Sequence, residues 1–282
     1  MSQAADSPDE IARFVAEAAV HAPSVSSTAP WWFSATDTEM CVRADVERKL
    51  PVADPSAREL TISCGAAVFT ARVAMRYLGL LPDASVLPEA EVPNLVARIG
   101  WSADRKPPGD FERGLFAQIP LRRDHRGGFD TERLPAGMMS RLSEETSREH
   151  ASLRIMAAGD QRAALLAVMA AADSAFRLDG TRASEGATWG TPGGQEYGVE
   201  PRTAGIVAVL TTRSDEKLDW VQAGQALQRV LLVAGSQGIE VAISARALEF
   251  TQLRDFIASE LAGGEVPQLL LRFGLMRHGS PG

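Results

Sequence analysis

The stretch ADPSARELTISCGAAVFTARVAMRYLG, residues 53–79, predicts a long central helix. Asp54 followed by Pro55 is a typical helix start, because aspartate accepts hydrogen bonds from free amides and proline fits the first helical position. Gly79 is expected to end the helix. The segment is rich in small residues between its apolar positions, so we expect this helix to be deeply buried. Those apolar positions are Leu60, Ala67, Val73 and Leu78.

A second central helix is predicted in the C-terminal part of the chain. Ser214 is expected to cap it, with Asp215 and Glu216 near the positive end of its dipole. Gly238 is expected to end it. One face carries an apolar stripe. The stripe comprises Trp220, Ala223, Leu227, Val230 and Ala234.

The remaining pattern mixes helices with short strands, and the second part of the chain repeats the order of the first. This order predicts a layered α+β or α/β domain with two pseudo-equivalent halves, residues 1–110 and 111–282. Residues 176–201 are rich in glycine without a periodic apolar face, and predict a long loop that is either a lid or a surface excursion. Further helices are predicted at 8–21, 132–145, 160–175 and 250–261, and strands at 31–33, 40–44, 91–101, 154–157, 206–210, 240–244 and 268–273.

Composition narrows the class of protein. The chain has 282 residues with 29 basic and 36 acidic side chains, a formal net charge of −7 and a pI near 5.3. This balance argues against nucleic acid as a partner. Two cysteines without a CxxC motif and four scattered histidines predict neither a disulfide framework nor a metal site. With neither a signal peptide pattern nor a membrane-spanning apolar run, a cytoplasmic location is expected.

Two turns carry the residues with the most chemical potential. In HAPSVSSTAPWWF, residues 21–33, hydroxyl side chains lie between two prolines, where they can bond either a ligand or the backbone of a rigid loop. In IPLRRDHRGGFD, residues 119–130, three arginines precede two glycines. Arginine binds phosphate oxygens in pairs, although a solvated basic turn has the same composition. From the residues alone, each turn is therefore either a ligand site or a structural turn; the side chains concerned are Ser24, Ser26, Ser27 and Thr28 in the first and Arg122, Arg123 and Arg126 in the second.

Two common catalytic arrangements are not supported by the sequence. A GxGxxG motif between a strand and a helix is absent, so a dinucleotide-binding Rossmann unit is not predicted. Ser63, Cys64 and Gly65 lie within a predicted helix instead of a GxSxG turn, so a serine nucleophile is not predicted either. No catalytic side chain is assigned.

Four blocks of the sequence resemble the nitroreductase superfamily, and most closely its internally duplicated Acg-like branch. These blocks are the two turns, residues 53–79, and WVQAGQALQRVLLVAGSQGIEVAISARALEF at 220–250. The resemblance extends from the first helix to PQLLLRFG at 267–274. It implies the α+β nitroreductase fold, in which two pseudo-symmetric halves of one chain imitate a dimer. The expected assembly is therefore a monomer of this kind, or a dimer.

The resemblance also implies one FMN site built in cis, with NAD(P)H as a possible co-substrate and a small molecule as electron acceptor. The first half would supply the turn with Pro23, Ser24 and Ser27, and the second half the arginines at positions 122, 123 and 126. The resemblance also implies a role for the turn around Ser244, Ala245 and Arg246, because the equivalent turn of relatives faces the reactive edge of the flavin. Arg272 matches the arginine of the terminal RFG, as a flavin contact or a structural residue.

The chain departs from the family at several positions of these motifs. Ser27 replaces asparagine, Ala29 replaces glutamine, Asp124 replaces serine or threonine, and Arg246 stands where the branch usually has glutamine. Each lost neutral hydrogen bond weakens binding by about 0.5–1.5 kcal/mol. FMN affinity should therefore be lower than in relatives.

Three functions remain open at this point. The first is an FMN-dependent NAD(P)H reductase of nitroaromatics, quinones or related acceptors. The second is a protein that sequesters FMN without turnover, with residues 176–201 as a lid. The third is a degenerate scaffold that has lost flavin, as the residues at positions 27, 29 and 124 suggest.

Overall fold

The computed structural model describes residues 7–25, 27–102, 104–122, 125, 128–129, 134–156, 158–185 and 204–275. Eight α-helices and eight strands are assigned in these ranges. The helices are α1 Pro8–Ala19, α2 Arg58–Tyr77, α3 Asp110–Gln118, α4 Met138–Ser147, α5 Asp160–Leu178, α6 Gly180–Glu185, α7 Lys217–Gly235 and α8 Thr251–Phe256. The strands are β1 Trp31–Ala35, β2 Glu39–Ala44, β3 Pro82–Val86, β4 Leu95–Trp101, β5 Ser152–Met156, β6 Ile206–Thr212, β7 Glu240–Ser244 and β8 Val266–Gly274.

The strands form two four-stranded sheets of the same topology. The first has the order β1-β2-β4-β3 and the second β5-β6-β8-β7, and every neighbouring pair is antiparallel. Each sheet has a register shift in its second strand, between Val42 and Arg43 in β2 and between Leu210 and Thr211 in β6. The predicted α+β fold with an internal duplication is therefore present.

The central helices α2 and α7 pack against each other at two glycines. A Cβ on Gly65 would overlap the backbone carbonyl of Val221, and a Cβ on Gly224 would overlap that of Ile62. The contact is reciprocal, as expected for two pseudo-equivalent helices. Each helix is followed by a glycine with positive φ, Gly79 at 82° and Gly238 at 69°, as the sequence predicts.

Both predicted helix starts are displaced along the chain, the first by three residues and the second by two. The first helix begins at Arg58 and not at Pro55, because Ala57 takes a left-handed conformation with φ of 59°. Asp54 still caps it, since its carboxylate accepts the N–H groups of Glu59 (3.1 Å) and Leu60 (2.9 Å).

The second helix begins at Lys217, and the prediction that Ser214 caps it is wrong. The hydroxyl of Ser214 instead donates to the carboxylate of Asp219 at 2.6 Å. The same carboxylate accepts the backbone N–H of Glu216 at 3.1 Å. The side chain of Asp219, within the first turn of α7, thus caps the start of the helix.

Other differences follow from tertiary packing. The helix predicted at 132–145 begins at Met138, the strand predicted at 91–101 begins at Leu95, and β3 was not predicted. The helix predicted at 250–261 is a short α-helix followed by a π turn at Ile257–Leu261. The loop predicted at 176–201 is helical up to Glu185, and its residues 186–201 lie outside the described part.

Three hydrophobic clusters hold these layers together. One lies between α1, α2 and the first sheet, a second between α2, α4, α7 and one face of the second sheet, and a third between the other face of the second sheet and α5. The α-helical layer shared by both halves therefore lies between the two sheets. Val25 and Ala53 of the first half belong to the second cluster, together with Leu269 and Leu271 of β8.

Candidate functional site

The turn between α1 and β1 is held by hydrogen bonds to its own backbone and to α2. Pro23 and Ser24 are buried. The Ser24 hydroxyl accepts the N–H of Ala29 at 3.1 Å, and the N–H of Val25 donates to the Ser63 hydroxyl at 3.1 Å. The hydroxyl of Ser24 therefore has a structural partner, while Ser27 is exposed.

Two residues of this turn have strained backbone conformations. Ser27 and Ala29 have φ of 50° and 42°, values that residues other than glycine rarely adopt. Arg48 stabilises the conformation by donating to the carbonyl oxygens of Thr28 (2.5 Å) and Ala29 (3.2 Å). Strain of this kind is frequent at functional sites.

The described residues of the arginine turn, 119–122, 125 and 128–129, lie at the end of the second sheet where β7 begins. Arg122 lines a cavity of about 60 Å³ together with Glu240 and Val241. His125 stacks on Phe129 with 4.3 Å between the ring centroids. Arg123 and Arg126 lie outside the described residues, so their predicted role stays a prediction.

Phe129 explains two glycines at this end of the sheet. It is fully buried, and a Cβ on Gly274 or Gly205 would overlap its side chain. The guanidinium of Arg272 lies 5.4 Å from the centre of the Phe129 ring. The arginine turn and Arg272 are thus connected through one aromatic side chain.

The face of the second sheet that contacts α5 holds two buried arginines. Arg272 is 1% exposed and Arg246 is 9% exposed. Arg246 pairs with Asp173 of α5 at 3.2 Å and stacks on Phe176 at 4.4 Å. Ser244 and Ala245, the residues before Arg246, are also buried.

Asp173 is the carboxylate at the centre of this region. Burial raises its pKa, and the hydrogen bond and charge of Arg246, with the charges of Arg177 and Arg272, act in the opposite direction. Burial has the larger effect, so the pKa of Asp173 is above its ordinary value. Both buried arginines therefore act electrostatically on the same carboxylate.

Of the described candidate residues, Arg122, Ser244, Ala245, Arg246 and Arg272 lie around β7 and β8. Pro23, Ser24 and Ser27 lie apart from them along the chain, in the turn between α1 and β1 of the first half. Arg122 lies where β7 begins and Ser244 where it ends, two points that the length of β7 separates by about 13 Å. Arg58 at the start of α2 donates to the carbonyl oxygen of Gln268 in β8 at 2.8 Å, which joins the first half to this region. An elongated ligand would be needed to contact both ends.

Sequence reasoning missed two contributions from the segment after β5. Asp173 interrupts the apolar run ALLAVMAAADSAF, and a charge in such a run is a signal that could have identified it. Glu185, at the end of α6, accepts the backbone N–H groups of Val52 (3.1 Å) and Ala53 (2.5 Å). Because Glu185 is the last residue of α6, this contact attaches α6 to the first half.

Other site types receive no support from the described residues. No group of three histidine, cysteine, aspartate or glutamate side chains among them could hold a metal ion. Cys64 is fully buried, its thiol donates to the carbonyl oxygen of Pro30 at 3.3 Å, and burial raises its pKa. None of the described helices is long and apolar enough to cross a membrane.

No family model matches the chain. Curated relatives nevertheless cover almost all of it. "Putative NAD(P)H nitroreductase Rv3131" of Mycobacterium tuberculosis strain H37Rv is 28% identical over 294 residues, which are 94% of this chain and 85% of that protein. "Putative NAD(P)H nitroreductase acg" of the same strain is 25% identical over 305 residues, with 94% and 89% covered.

A solved structure has the same fold. A protein from Anabaena variabilis, described as a putative nitroreductase, superposes with a TM-score of 0.55 at 12% identity. The superposition covers 85% of this chain and 69% of that chain. At this identity the likeness concerns the fold alone.

Proposed function

We propose that the chain belongs to the nitroreductase superfamily, close to its Acg-like branch, and that it is an FMN-binding oxidoreductase that uses NAD(P)H. Its electron acceptor would be a small molecule such as a nitroaromatic compound or a quinone. The relatives named NAD(P)H nitroreductases support this proposal, since their similarity extends over 94% of the chain. The expected one-site arrangement in two halves, 1–110 and 111–282, is part of the same proposal.

The observation that carries the proposal is the pair of buried arginines, Arg246 and Arg272, each of which lies over one aromatic ring at the second sheet. Guanidinium groups are the preferred partners of phosphate, and aromatic surfaces suit a planar ring. The residues present therefore fit a flat cofactor with a phosphate group. When bound, FMN would supply hydride and electron transfer, chemistry that protein side chains lack.

Each part of the site has a proposed task. Arg122, Arg123 and Arg126 would bind the phosphate, with Arg272 beside them. Ser244, Ala245 and Arg246 would lie along the ring, where backbone N–H groups can donate hydrogen bonds. The strained turn with Pro23, Ser24 and Ser27 would orient the ring from the first half. No side chain is required as an acid or a base for hydride transfer.

The decisive test is the absorption spectrum of the purified protein with added FMN, recorded before and after anaerobic addition of NADPH. We expect bound flavin, seen as quenched FMN fluorescence, whose visible absorption is bleached by NADPH. Failure to bind FMN would instead favour the degenerate scaffold. In that case the double substitution Ser27→Asn with Ala29→Gln should restore binding, because it returns the family's side chains to the turn.

A matched pair of arginine variants locates the site. Arg122→Gln should weaken FMN binding by about tenfold, because it removes a charge-assisted hydrogen bond. Arg113→Gln is the control, since Arg113 is also partly exposed and pairs with Asp110 on α3. Equal FMN affinities for the two variants in a fluorescence titration would remove Arg122 from the site.

One observation favours the second candidate function, sequestration of FMN without turnover. The carboxylate of Glu185 binds the N–H groups of Val52 and Ala53, and so fixes α6 against the first half. A lid that starts from a fixed α6 would restrict access of NAD(P)H. This function predicts bound flavin that NADPH bleaches only slowly, and faster bleaching in Glu185→Ala, which removes the attachment. Rapid bleaching of the unaltered protein would reject it.

A further inference from the structure

A second cavity lies at the junction of the two halves, away from the residues assigned to FMN. Its volume is about 460 Å³, and it is enclosed by α2, α3, α7 and the end of α4. Small-molecule sites typically have volumes of roughly 300–1,000 Å³. The cavity is therefore large enough for a small organic ligand.

The floor and one wall of this interhelix cavity are apolar. Phe69, Val73 and Leu115 are buried beneath it, and they belong to the cluster between α2 and the second sheet. Leu81 and Phe111 are 41% and 39% exposed at its edge. These side chains would contact a flat apolar molecule on both sides.

Two arginines are fixed over the floor. The guanidinium groups of Arg72 and Arg229 lie 5.3 Å and 5.6 Å from the centre of the Phe69 ring. Glu149 pairs with Arg72 at 2.7 Å and with Arg229 at 3.0 Å. Glu145 also pairs with Arg229, with a 2.6 Å contact to its Nε. This network positions both arginines before any ligand binds.

Two further arginines line the cavity. Arg76 pairs with Glu112 at 3.2 Å. The side chain of Arg148 is 63% exposed and forms a long 3.6 Å ion pair with Glu145, a carboxylate that Arg229 already contacts. Four arginines line the cavity, and three glutamates, Glu112, Glu145 and Glu149, pair with them. These seven side chains together carry a net charge of +1. An anionic ligand group would neutralise this charge.

The internal repeat shows that these arginines are not required by helix packing. The repeat that aligns Gly65 with Gly224 aligns Arg72 with Leu231 and Arg76 with Gly235. Leu231 and Gly235 line the small cavity of about 60 Å³ beside Arg122. Where the first half has two arginines and a cavity of about 460 Å³, the second half thus has a leucine and a glycine and a cavity of about 60 Å³.

We propose that the interhelix cavity is a second binding site, for a small organic anion with a flat apolar body and one carboxylate, sulfonate or phosphate group. The apolar body lies between Phe69, Leu115 and Phe111. The anionic group lies at the mouth, where it contacts Arg148 and Arg76. The site is separate from the proposed FMN site and does not depend on flavin binding.

The test uses anilinonaphthalene sulfonate, whose fluorescence rises in an apolar site, and its uncharged analogue phenylnaphthylamine. We expect the folded protein to bind the sulfonate with one-to-one stoichiometry and to bind the uncharged analogue at least about tenfold more weakly, the size of one charge-assisted contact. Saturating FMN should leave the sulfonate affinity unchanged. Displacement by FMN, or equal affinity for both probes, would overturn the proposal.

Variants assign the binding to the cavity. Arg148→Gln should weaken sulfonate binding by about tenfold, since it removes the excess charge from an exposed position without breaking a buried pair. Arg113→Gln and Arg122→Gln are the controls and should bind the sulfonate normally. Phe111→Ala should weaken both probes equally, because it removes apolar contact only. Thermal melting confirms that each variant is folded, and an unchanged affinity in folded Arg148→Gln would reject the site.

Discussion

The two halves share a sheet topology but differ in how their sheets are covered. In the first sheet, β2 alternates between fully buried and partly buried residues, as a strand with one packed face does. In the second sheet, β6 and β8 are buried at nearly every position. The second sheet therefore packs on both faces, and the first packs on one.

Insertions between strands account for this difference. Three residues, 36–38, connect β1 and β2, whereas α5 and α6 lie between β5 and β6. Likewise a short loop, 87–94, connects β3 and β4, whereas α8 and the flanking helical turns connect β7 and β8. The inserted helix α5 places Asp173 in contact with Arg246. The residues of the candidate flavin site therefore come from the inserted segments as well as from the repeated sheet.

The largest loss of stability is expected at the crossing of α2 and α7, where both halves use a glycine in the same way. Gly224→Ala should destabilise the protein by about 3 kcal/mol, because its methyl group would overlap the carbonyl of Ile62 and the two helices cannot separate without loss of packing. Gly65→Ala should have a similar effect at Val221. Urea unfolding followed by tryptophan fluorescence measures both.

Gly114→Ala is the matched control for these variants. Gly114 lies within α3, and apart from its chain neighbours and the backbone of its own helix no described atom lies within 4 Å of the position that its Cβ would take. Alanine is a better helix former than glycine, so we expect stabilisation by about 0.5–1 kcal/mol. If Gly65→Ala and Gly224→Ala are equally harmless, the close crossing of the helices is incorrect.

Much of this repeated scaffold could be predicted from local pattern. Both glycine helix ends were predicted, and the strand at 240–244 was predicted with its observed bounds. The strand β3 was missed because it lies at a sheet edge, where PDASV has no apolar run to identify it. The helix starts were displaced because Ala57 and Asp219 decide them through backbone strain and a side-chain contact that spacing does not reveal.

The candidate site was predictable only in part. The sequence identified the serine turn and the arginines by residue type, and the relatives support the family to which these motifs point. It could not reveal that Arg246 pairs with Asp173, because 73 residues separate the two and only the packing of α5 brings them together. The interhelix cavity was missed for the same reason, since its arginines come from three helices.

A smaller effect is expected at the two glycines that follow the central helices. Gly79→Ala and Gly238→Ala should each destabilise the protein by about 1–2 kcal/mol, because both positions have positive φ. The Gly79 variant should be the less stable, since its Cβ would lie 3.3 Å from the carbonyl oxygen of Lys106, whereas no atom lies within 4 Å at Gly238. Urea unfolding of both would show whether the repeat is equivalent here, and the reverse order would contradict the assigned contact with Lys106.

The smallest effect concerns a carboxylate that only the second half uses, Asp215 before α7. Burial acts to raise its pKa, but hydrogen bonds from Arg254, Trp220 and Gln268 outweigh burial and lower the pKa from 3.8 to about 2. A lowered pKa stabilises the folded state above pH 3.8, and this contribution is lost as the pH falls towards 2. Because the side chain is 38% exposed, solvent screening limits the contribution to about 1 kcal/mol.

The substitution Asp215→Asn isolates this contribution, because asparagine has no charge to lose in acid. We expect the variant to be less stable than the unaltered protein at pH 6, and the two free energies of unfolding to converge as the pH is lowered from about 4 to about 2. Gly238→Ala is the control, since it destabilises without changing a titratable group and its curve should run parallel to that of the unaltered protein. Parallel curves for Asp215→Asn as well would mean that the hydrogen bonds of Asp215 do not favour its charged form, and that the start of α7 is no more acid-sensitive than the rest of the fold.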